Sequence, residues 1–303
     1  MIMTIKRLPK DQIDLHLHSK SSDGQNTVNE VIDLAFTQGK LKVAAITDHN
    51  YFSLTQKQVV GTDEDQLTVI PGCEFSTTYV LRSRNMYDEI HVIGIFPNGV
   101  DPKNFEDLFA PIEGGRKKYI GAILDSLHNL GVGISMEEVL RVKRSTGYLG
   151  RFQIATVLVE KGYGSSVDEI MDRFIGNFSP YYINPTKYID YAPFQTVIER
   201  ILVNGGFPIL CHPLSYHRLA MDEITALVQD FKEATKGVGG IEVYYSHYTE
   251  EQREYLRRLQ EEAGLIPSVA SDRHRVDQPF ASYGGYSLYQ KMLKALNSHS
   301  VLE

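Results

Sequence analysis

The sequence predicts an α/β fold, with a parallel sheet or barrel into which a helical segment is inserted. Short apolar runs rich in β-branched residues recur along the chain, and each ends in polar residues. Amphipathic helical patterns separate several of these runs, as is typical of strands that pair in parallel. Residues 98–192 instead carry helical patterns without a strong strand signal. We therefore expect a discontinuous barrel, residues 1–97 and 193–303, and a helical insertion or lid, residues 98–192.

Seven runs have the character of buried strands and give the order of the predicted elements. They are residues 13–19, 42–50, 66–76, 89–96, 207–213, 240–247 and 265–274. The clearest helix follows the first run, because Thr27 and Glu30 have the spacing of a capping box. Behind this cap, residues 28–36 carry an apolar stripe at helical spacing. A second helix is predicted over residues 250–264.

The composition narrows the class of protein. The 303-residue chain has a formal net charge of −7, which disfavours binding to long nucleic acids. No apolar stretch is long enough to span a membrane, and the N-terminus lacks the features of a secretory signal. Cys73 and Cys211 are too few for a disulfide framework, so we expect a cytoplasmic protein without a membrane partner. The oligomeric state is not indicated by the sequence.

Histidine and acidic residues gather where the predicted strands end. The carboxyl ends of strands converge on one face of a parallel barrel, and side chains two apart on a strand point the same way. Burying so many of them through core packing alone would be costly. The candidate metal ligands are His16, His18, Asp23, His49, Glu74, His91, His212, Asp272 and His274. If Glu74 and His212 point into the barrel mouth, Cys73 and Cys211 should point away from it.

Imidazole and carboxylate donors together suit zinc, iron or manganese. The nine candidates exceed the needs of one ion, so we expect two or three divalent ions (Mn²⁺, Fe²⁺ or Zn²⁺), with Glu74 as a bridging carboxylate. Three such ions would carry more charge than the three carboxylates of the set return. The site would remain electropositive enough to bind a phosphate dianion and a hydroxide, which favours hydrolysis of phosphate esters.

Seven motifs follow one another from about residue 13 to about residue 275: DLHLHSKSSDG, AAITDHN, PGCEFS, EIHVIGIF, ILCHP, GGIEVYYSH and ASDRH. In order and spacing they resemble the PHP-domain (polymerase and histidinol phosphatase) family of metal-dependent phosphoesterases. Within this family the chain most resembles the small members typified by the nucleoside 3′,5′-bisphosphate phosphatases. Those members carry a helical insertion that begins with a Gly-Arg motif, here Gly150 and Arg151. The motif usually continues with Pro-His, whereas this chain has Phe152 and Gln153.

The resemblance implies a distorted (β/α)7 barrel and a trinuclear metal site. By motif, the first metal would be held by His16, His18, Glu74 and Asp272, the second by Asp23, His49 and His274, and the third by Glu74, His91 and His212. Asp23 matches the carboxylate that this subgroup uses where histidinol phosphatases have His. Close relatives usually read GSDFHG where this chain has ASDRHR, so Arg273 and Arg275 could alter the substrate pocket.

The implied reaction is hydrolysis of a phosphomonoester of a small phosphorylated metabolite. A nucleoside 3′,5′-bisphosphate is the leading substrate class, and the expected partners are an AMP-like nucleotide or phosphate. A metal-bound hydroxide would attack phosphorus in line with the leaving oxygen. Arg151 is expected to contact a phosphate and Arg116 a second one. Ser246 and His247 could touch the substrate, and Asp48 is a candidate for orienting a ligand imidazole.

Several alternatives stay open at this point. Arg151 and Arg116 could instead be surface residues at helix ends, and Tyr181 and Tyr182 could stack on a nucleobase or pack in the core. A cyclic-phosphate or sugar-phosphate hydrolase and a 5′-3′ exonuclease acting on short oligonucleotides are alternative functions. A non-catalytic binding module is disfavoured, because such a protein should have lost some of the ligands.

Overall fold

The computed structural model describes residues 11–62, 65–143, 148–216 and 218–299. Within these ranges the strands are β1 (Ile13–Leu17), β2 (Val43–Ile46), β3 (Gln58–Thr62), β4 (Asp65–Leu81), β5 (Met86–Ile95), β6 (Phe207–Leu210), β7 (Gly240–Tyr245) and β8 (Ile266–Ala270). They form one sheet in the order β1-β2-β4-β5-β6-β7-β8, with β3 paired to β4 outside this path. Each of the seven predicted strand runs overlaps one strand of the path.

The helices are α1 (Val28–Thr37), α2 (Glu106–Asn129), α3 (Met136–Val142), α4 (Arg151–Glu160), α5 (Val167–Ile170), α6 (Phe194–Val203), α7 (Met221–Ala234), α8 (Glu250–Ala263) and α9 (Tyr286–His299). The predicted capping box of α1 is present. Thr27 Oγ1 accepts a hydrogen bond from Glu30 N at 3.3 Å, and the Glu30 carboxylate accepts one from Thr27 N at 2.7 Å. The second predicted helix is α8.

The two ends of the sheet meet, which makes it a nearly closed barrel. Leu17 and Arg273 form a parallel bridge, and His18 N donates to Arg273 O at 3.1 Å. Apolar side chains from β1, β2, β4, β5, β6 and β8 share one buried cluster, and α9 packs against it. The α/β barrel expected from the sequence is confirmed.

Strand direction departs from an all-parallel sheet. β5 pairs antiparallel with both β4 and β6. β4 and β5 are joined by only the residues 82–85, whereas a parallel pair needs a crossover of about a dozen residues or more. Asn85 has a φ of 48°, which suits a tight turn. Because of this hairpin, Glu74 and His91 lie within their strands and not at carboxyl ends.

The helices α2 to α5 lie between β5 and α6 and have a buried apolar cluster of their own, from Ile112 to Tyr191. Gly115 allows α2 to approach the following segment closely, since a Cβ there would lie 2.7 Å from Ile189 Cα. We propose that residues 98–192 form a separate helical unit, as the sequence predicts. Among the described residues no helix is long and apolar enough to cross a membrane.

Candidate metal centre

The nine side chains predicted as metal ligands lie together at one end of the barrel. Glu74 is at their centre and is only 1 % exposed. Its Oε2 atom lies 3.0 to 3.2 Å from ring nitrogens of His16, His18 and His49. Its Oε1 atom lies 2.7 Å from His91 Nδ1 and 3.1 Å from His212 Nε2. One carboxylate therefore touches five imidazoles, which is the arrangement expected of a bridging ligand.

The nine side chains fall into three groups of donors, and Glu74 belongs to the first and the third of them. In the first group, the facing donor atoms lie 3.0 to 3.3 Å apart, and its members are His16, His18, Glu74 and Asp272. In the second group, Asp23 oxygens lie 3.2 Å from His274 Nε2 and 3.6 Å from His49 Nε2. The third group is Glu74 Oε1 with its neighbours His91 and His212. His49 also lies close enough to Glu74 and His91 to share an ion with them.

Neighbouring acceptors fix which nitrogen of several imidazoles faces the cluster. His16 Nδ1 donates to Glu242 Oε1 at 2.7 Å, so Nε2 is left as the lone-pair nitrogen that points at the first group. His274 Nδ1 donates to the backbone carbonyl of Asp272 at 2.8 Å, which turns Nε2 towards Asp23. His18 Nδ1 lies 3.3 Å from Ser22 Oγ, whose hydroxyl donates to Asp48. These contacts prepare the imidazoles to act as ligands.

Although they lie close to one another, several buried polar atoms of the cluster make no well-aligned hydrogen bond among the described residues, including Asp23 Oδ1, His49 Nδ1, Glu74 Oε2 and Asp272 Oδ1. Leaving such atoms unpaired inside a protein is costly, and a shared cation would remove that cost. Donors held about 2.0 to 2.2 Å from an ion in tetrahedral geometry lie about 3.3 to 3.6 Å apart. The first group comes close to this spacing, so the donor set fits divalent metal ions.

The electrostatics of the cluster also favour a bound cation. Burial alone would raise the pKa of Glu74, but the surrounding imidazoles, His49 foremost, hold that pKa well below its usual range. Burial alone would lower the pKa of His18, but Asp272 and Glu74 outweigh burial and raise it to about 10. The buried carboxylates therefore stay ionised and attract positive charge, as protons on the imidazoles or as metal ions.

Two site residues adopt backbone conformations that end the regular strands. His212 has a φ of 26° and Asp272 a φ of 54°, although neither is glycine. The left-handed turn at His212 follows the end of β6 and takes this residue out of the strand's alternation. Cys211 continues the alternation of Phe207 and Ile209, packs with them in the interior cluster and lies near His16 and Glu242, so the expectation that it points away from the site is wrong. Cys73 packs, as expected, in the outer core, which is the apolar cluster that joins the sheet to α6, α7 and α8.

Each predicted phosphate-binding arginine lines a pocket beside the cluster. Arg151, at the start of α4, lines a pocket of about 50 Å³ together with His91 and His212. It is not a free surface residue, because Nη1 donates to Asn177 Oδ1 at 2.7 Å and to Ile175 O at 3.2 Å.

Arg116, on α2, lines a second pocket of about 220 Å³ together with His49 and Tyr51. The guanidinium lies 4.2 Å from the ring centroid of Tyr148, and that ring stacks on His49 at 5.9 Å. The insertion thus brings a second positive charge to the cluster, next to an aromatic wall.

Other predicted residues lie further from the cluster. Ser246 and His247 are exposed at the end of β7 and line neither of these pockets. Ser246 Oγ donates to Ala270 O at 3.3 Å, and the His247 ring lies against Tyr245. Asp48 is buried and accepts hydrogen bonds from Ser19 and Ser22. It therefore supports His18 through Ser22, and the described contacts do not link it to the His49 ring.

The two arginines of the last motif have structural contacts. Arg273 is only 2 % exposed, and its guanidinium donates to Gln278 O and Asn26 Oδ1. The expectation that it shapes the substrate pocket is not supported by this placement. Arg275 instead pairs with Asp168 of α5 at 2.6 Å, which joins the last loop of the barrel to the insertion.

Sequence reasoning missed several polar residues near the cluster. Glu242 accepts from His16, Glu89 Oε1 lies 3.4 Å from His91 Nε2, and Tyr245 donates to Asp272 Oδ2 at 2.8 Å. Arg218 lines the pocket of Arg151. A signal was present for two of them. Glu242 is a charged residue inside an apolar strand run. Glu89 precedes His91 by two positions and therefore lies on the same face of the strand.

Comparison with known proteins identifies relatives of this chain. It is 29 % identical over 261 residues to a 5′-3′ exoribonuclease of Haemophilus influenzae, covering 86 % of this chain and 89 % of that protein. It is 25 % identical over 264 residues to a 3′,5′-nucleoside bisphosphate phosphatase of Chromobacterium violaceum, covering 86 % and 87 %. A solved structure of an amidohydrolase from Chromobacterium violaceum, with bound sulfate and no metal, superposes with a TM-score of 0.72 at 24 % identity. The superposition covers 89 % of each chain and shows a shared fold.

Residues 14–299 match the PHP domain family, which is nearly the whole described chain. The match spans every predicted ligand and both pockets. The chain therefore belongs to the PHP domain family and is a metal-dependent phosphoesterase.

Proposed function

We propose that this phosphoesterase removes a phosphate from a small phosphomonoester, and that its substrate is a nucleoside 3′,5′-bisphosphate. The observation that carries the proposal is the placement of two insertion arginines at separate points along the ligand cluster. Arg116 lies beside His49, and Arg151 lies beside His91 and His212. A substrate with two phosphates can engage both guanidinium groups, whereas a simple phosphate ester can engage one.

The metal ions of this proposal would be held by the three groups described above. Bound divalent ions would supply Lewis acidity towards the phosphoryl group and would activate water for the attack. The chain's own residues provide the positions. Glu74 joins the three groups, and Asp272 is kept in place by the Tyr245 hydroxyl. Arg151 would orient a phosphoryl group beside His91 and balance the charge that grows on it during the reaction.

The two pockets support a nucleotide over a simpler ester. About 50 Å³ beside Arg151 is room for a few waters or one small anionic group, whereas about 220 Å³ beside Arg116 can take a larger one. The larger pocket includes Tyr51, which is 48 % exposed, and Tyr148. Aromatic side chains of this kind stack on nucleobases. We therefore place the nucleoside beside Arg116.

A second candidate function is 5′-3′ exonuclease activity on short oligonucleotides. Its support is the 29 % identity to the Haemophilus influenzae protein named as a 5′-3′ exoribonuclease. The net charge of −7 argues against long nucleic acids as substrates. Both functions use the same ligand cluster and differ in whether the group beyond the scissile bond is a nucleoside or a chain.

Replacing either arginine tests the proposed substrate. Arg151→Ala and Arg116→Ala should each lower kcat/KM for adenosine 3′,5′-bisphosphate about 10- to 100-fold, because each removes a charge-assisted hydrogen bond. With a mononucleotide substrate, only the arginine that holds the reacting phosphate should matter. The measurement is phosphate release from both substrates by both variants.

A matched control comes from the same insertion. Arg173 pairs with Glu169 on its exposed surface, so Arg173→Ala should leave both reactions unchanged. If Arg151→Ala and Arg116→Ala stay within two-fold of Arg173→Ala on the bisphosphate, the assignment of two phosphate contacts is wrong.

A further inference from the structure

Glu242 is a carboxylate buried in the middle of an apolar strand. It belongs to β7 and is 1 % exposed, while its neighbours Ile241 and Val243 pack in the outer core. Alternation along the strand therefore turns Glu242 to the inside of the barrel. The register between β7 and β8 shifts just after this residue. Such irregularities are common beside functional sites, where they re-aim side chains.

The two oxygens of Glu242 bind two different members of the ligand cluster. Oε1 accepts a hydrogen bond from His16 Nδ1 at 2.7 Å, and Oε2 accepts one from His212 N at 2.6 Å. His16 belongs to the first donor group and His212 to the third. One buried side chain therefore spans both groups, and it lies outside the set of nine predicted ligands.

Each contact has a separate consequence. The bond to His16 places the ring proton on Nδ1 and leaves Nε2 as the nitrogen that faces Glu74 and Asp272. The bond to His212 N stabilises the backbone at a φ of 26°, a region that residues other than glycine rarely adopt. That backbone conformation directs the His212 ring at Glu74 Oε1.

We propose that Glu242 is a positioning residue, which orients one histidine of the first donor group and one histidine of the third donor group for metal binding. It holds His16 in one tautomer and His212 in a strained conformation. The proposal rests on the ligand assignment under the proposed function, but it concerns metal binding and is independent of the substrate. The second group, Asp23, His49 and His274, has no described contact with Glu242 and should not depend on it.

The same neighbourhood admits another interpretation, in which His16, Cys211 and Glu242 themselves hold an ion. Their donor atoms lie within 4.8 Å of one another. Two observations argue against it. The 2.7 Å contact between His16 and Glu242 is a hydrogen-bond distance, and the Cys211 thiol lies 3.7 Å from Ile209 O as a donor. His16 Nε2 also faces the first group, which leaves Nδ1 as its protonated nitrogen.

The test is a metal titration of purified Glu242→Gln, Glu242→Ala and parent protein with Mn²⁺ and Zn²⁺, read by elemental analysis and calorimetry. A glutamine can accept only one of the two hydrogen bonds, because its amide nitrogen is a donor. Glu242→Gln should therefore weaken one ion about 10- to 100-fold, and Glu242→Ala should weaken two. Both variants should keep the ion of the second group at parental affinity.

Cys211→Ala is the matched control, since Cys211 is equally buried beside the same groups. It should bind as many ions as the parent and with the same affinity. A folded Glu242→Gln that binds all ions within two-fold of the parent would overturn the positioning role, and so would an equal loss in Cys211→Ala. If the parent itself binds no metal, the proposed function fails first. Glu242→Gln keeps the test informative should Glu242→Ala not fold.

Discussion

Glu74→Gln is expected to lower kcat/KM for phosphate release by about a thousand-fold or more. Glu74 touches five imidazoles, and it is shared by the first and third donor groups. Neutralising it removes the anionic oxygen that would join the ions, while the size of the side chain is kept. Metal ions contribute several kcal/mol to charge stabilisation in such reactions, and each 1.36 kcal/mol corresponds to about a factor of ten in rate.

Glu89→Gln is the matched comparison for this experiment. Glu89 lies in the same site, where its Oε1 atom lies 3.4 Å from His91 Nε2 and its carboxylate also accepts a hydrogen bond from Tyr191. Its replacement should cost about 10- to 100-fold, as is usual for groups that orient a ligand. The metal content and thermal unfolding of both variants should be recorded with the kinetics. A Glu74→Gln protein that keeps activity within ten-fold of the parent would contradict the bridging role.

His49→Ala and Asp272→Ala should each abolish measurable turnover while the protein stays folded. His49 faces both Glu74 and Asp23, and Asp272 Oδ1 lies 3.1 to 3.3 Å from two histidines of the first group. Each variant removes one proposed ligand without opening the apolar interior of the barrel. We expect losses of about a thousand-fold or more on the same reasoning. Circular dichroism and thermal unfolding check the fold, and phosphate release checks the activity.

His128→Ala is the control for the loss of a histidine, because His128 is an exposed residue near the end of α2. It should be as active as the parent. Full activity in either His49→Ala or Asp272→Ala would show that the ligand assignment is wrong at that position.

The sequence predicted the barrel well because its strands are short apolar runs with polar ends. Residue alternation correctly placed His16 and His18 on one face, and the motif order indicated that the proposed ligands from distant strands lie together. The pairing of β4 with β5 was not predicted, since their hairpin is formed by a short turn that carries little sequence signal. The strand β3 was not predicted because it is mostly exposed, and among the described strands it pairs with β4 alone.

The surroundings of the proposed ligands could be predicted less well than the gathering of these side chains at one site. Cys211 and His212 both face the site because the left-handed conformation of His212 departs from strand alternation, and a sequence pattern cannot anticipate such a conformation. The role of Glu242 depends on contacts with residues 226 and 30 positions away. Only the closed barrel brings these residues together.

The aromatic residues near the site are a second example of contacts that the sequence pattern does not predict. Tyr181 and Tyr182 begin an aromatic stretch of the sequence, which makes both of them candidates for stacking on a nucleobase. Tyr182 lines the small pocket of Arg151, while Tyr181 is 42 % exposed. The aromatic wall beside His49 comes from Tyr51 and Tyr148, which lie far apart in the sequence.

Metal analysis combined with a phosphate-release panel tests the central claim most directly. The panel holds adenosine 3′,5′-bisphosphate, histidinol phosphate, cyclic phosphates and short oligonucleotides. We predict that the purified protein contains transition-metal ions, that a chelator abolishes its activity, and that the bisphosphate is the preferred substrate. Release from oligonucleotides but not from mononucleotides would replace the phosphatase with the exonuclease. A protein with no bound transition metal and no metal-stimulated activity would contradict the account as a whole.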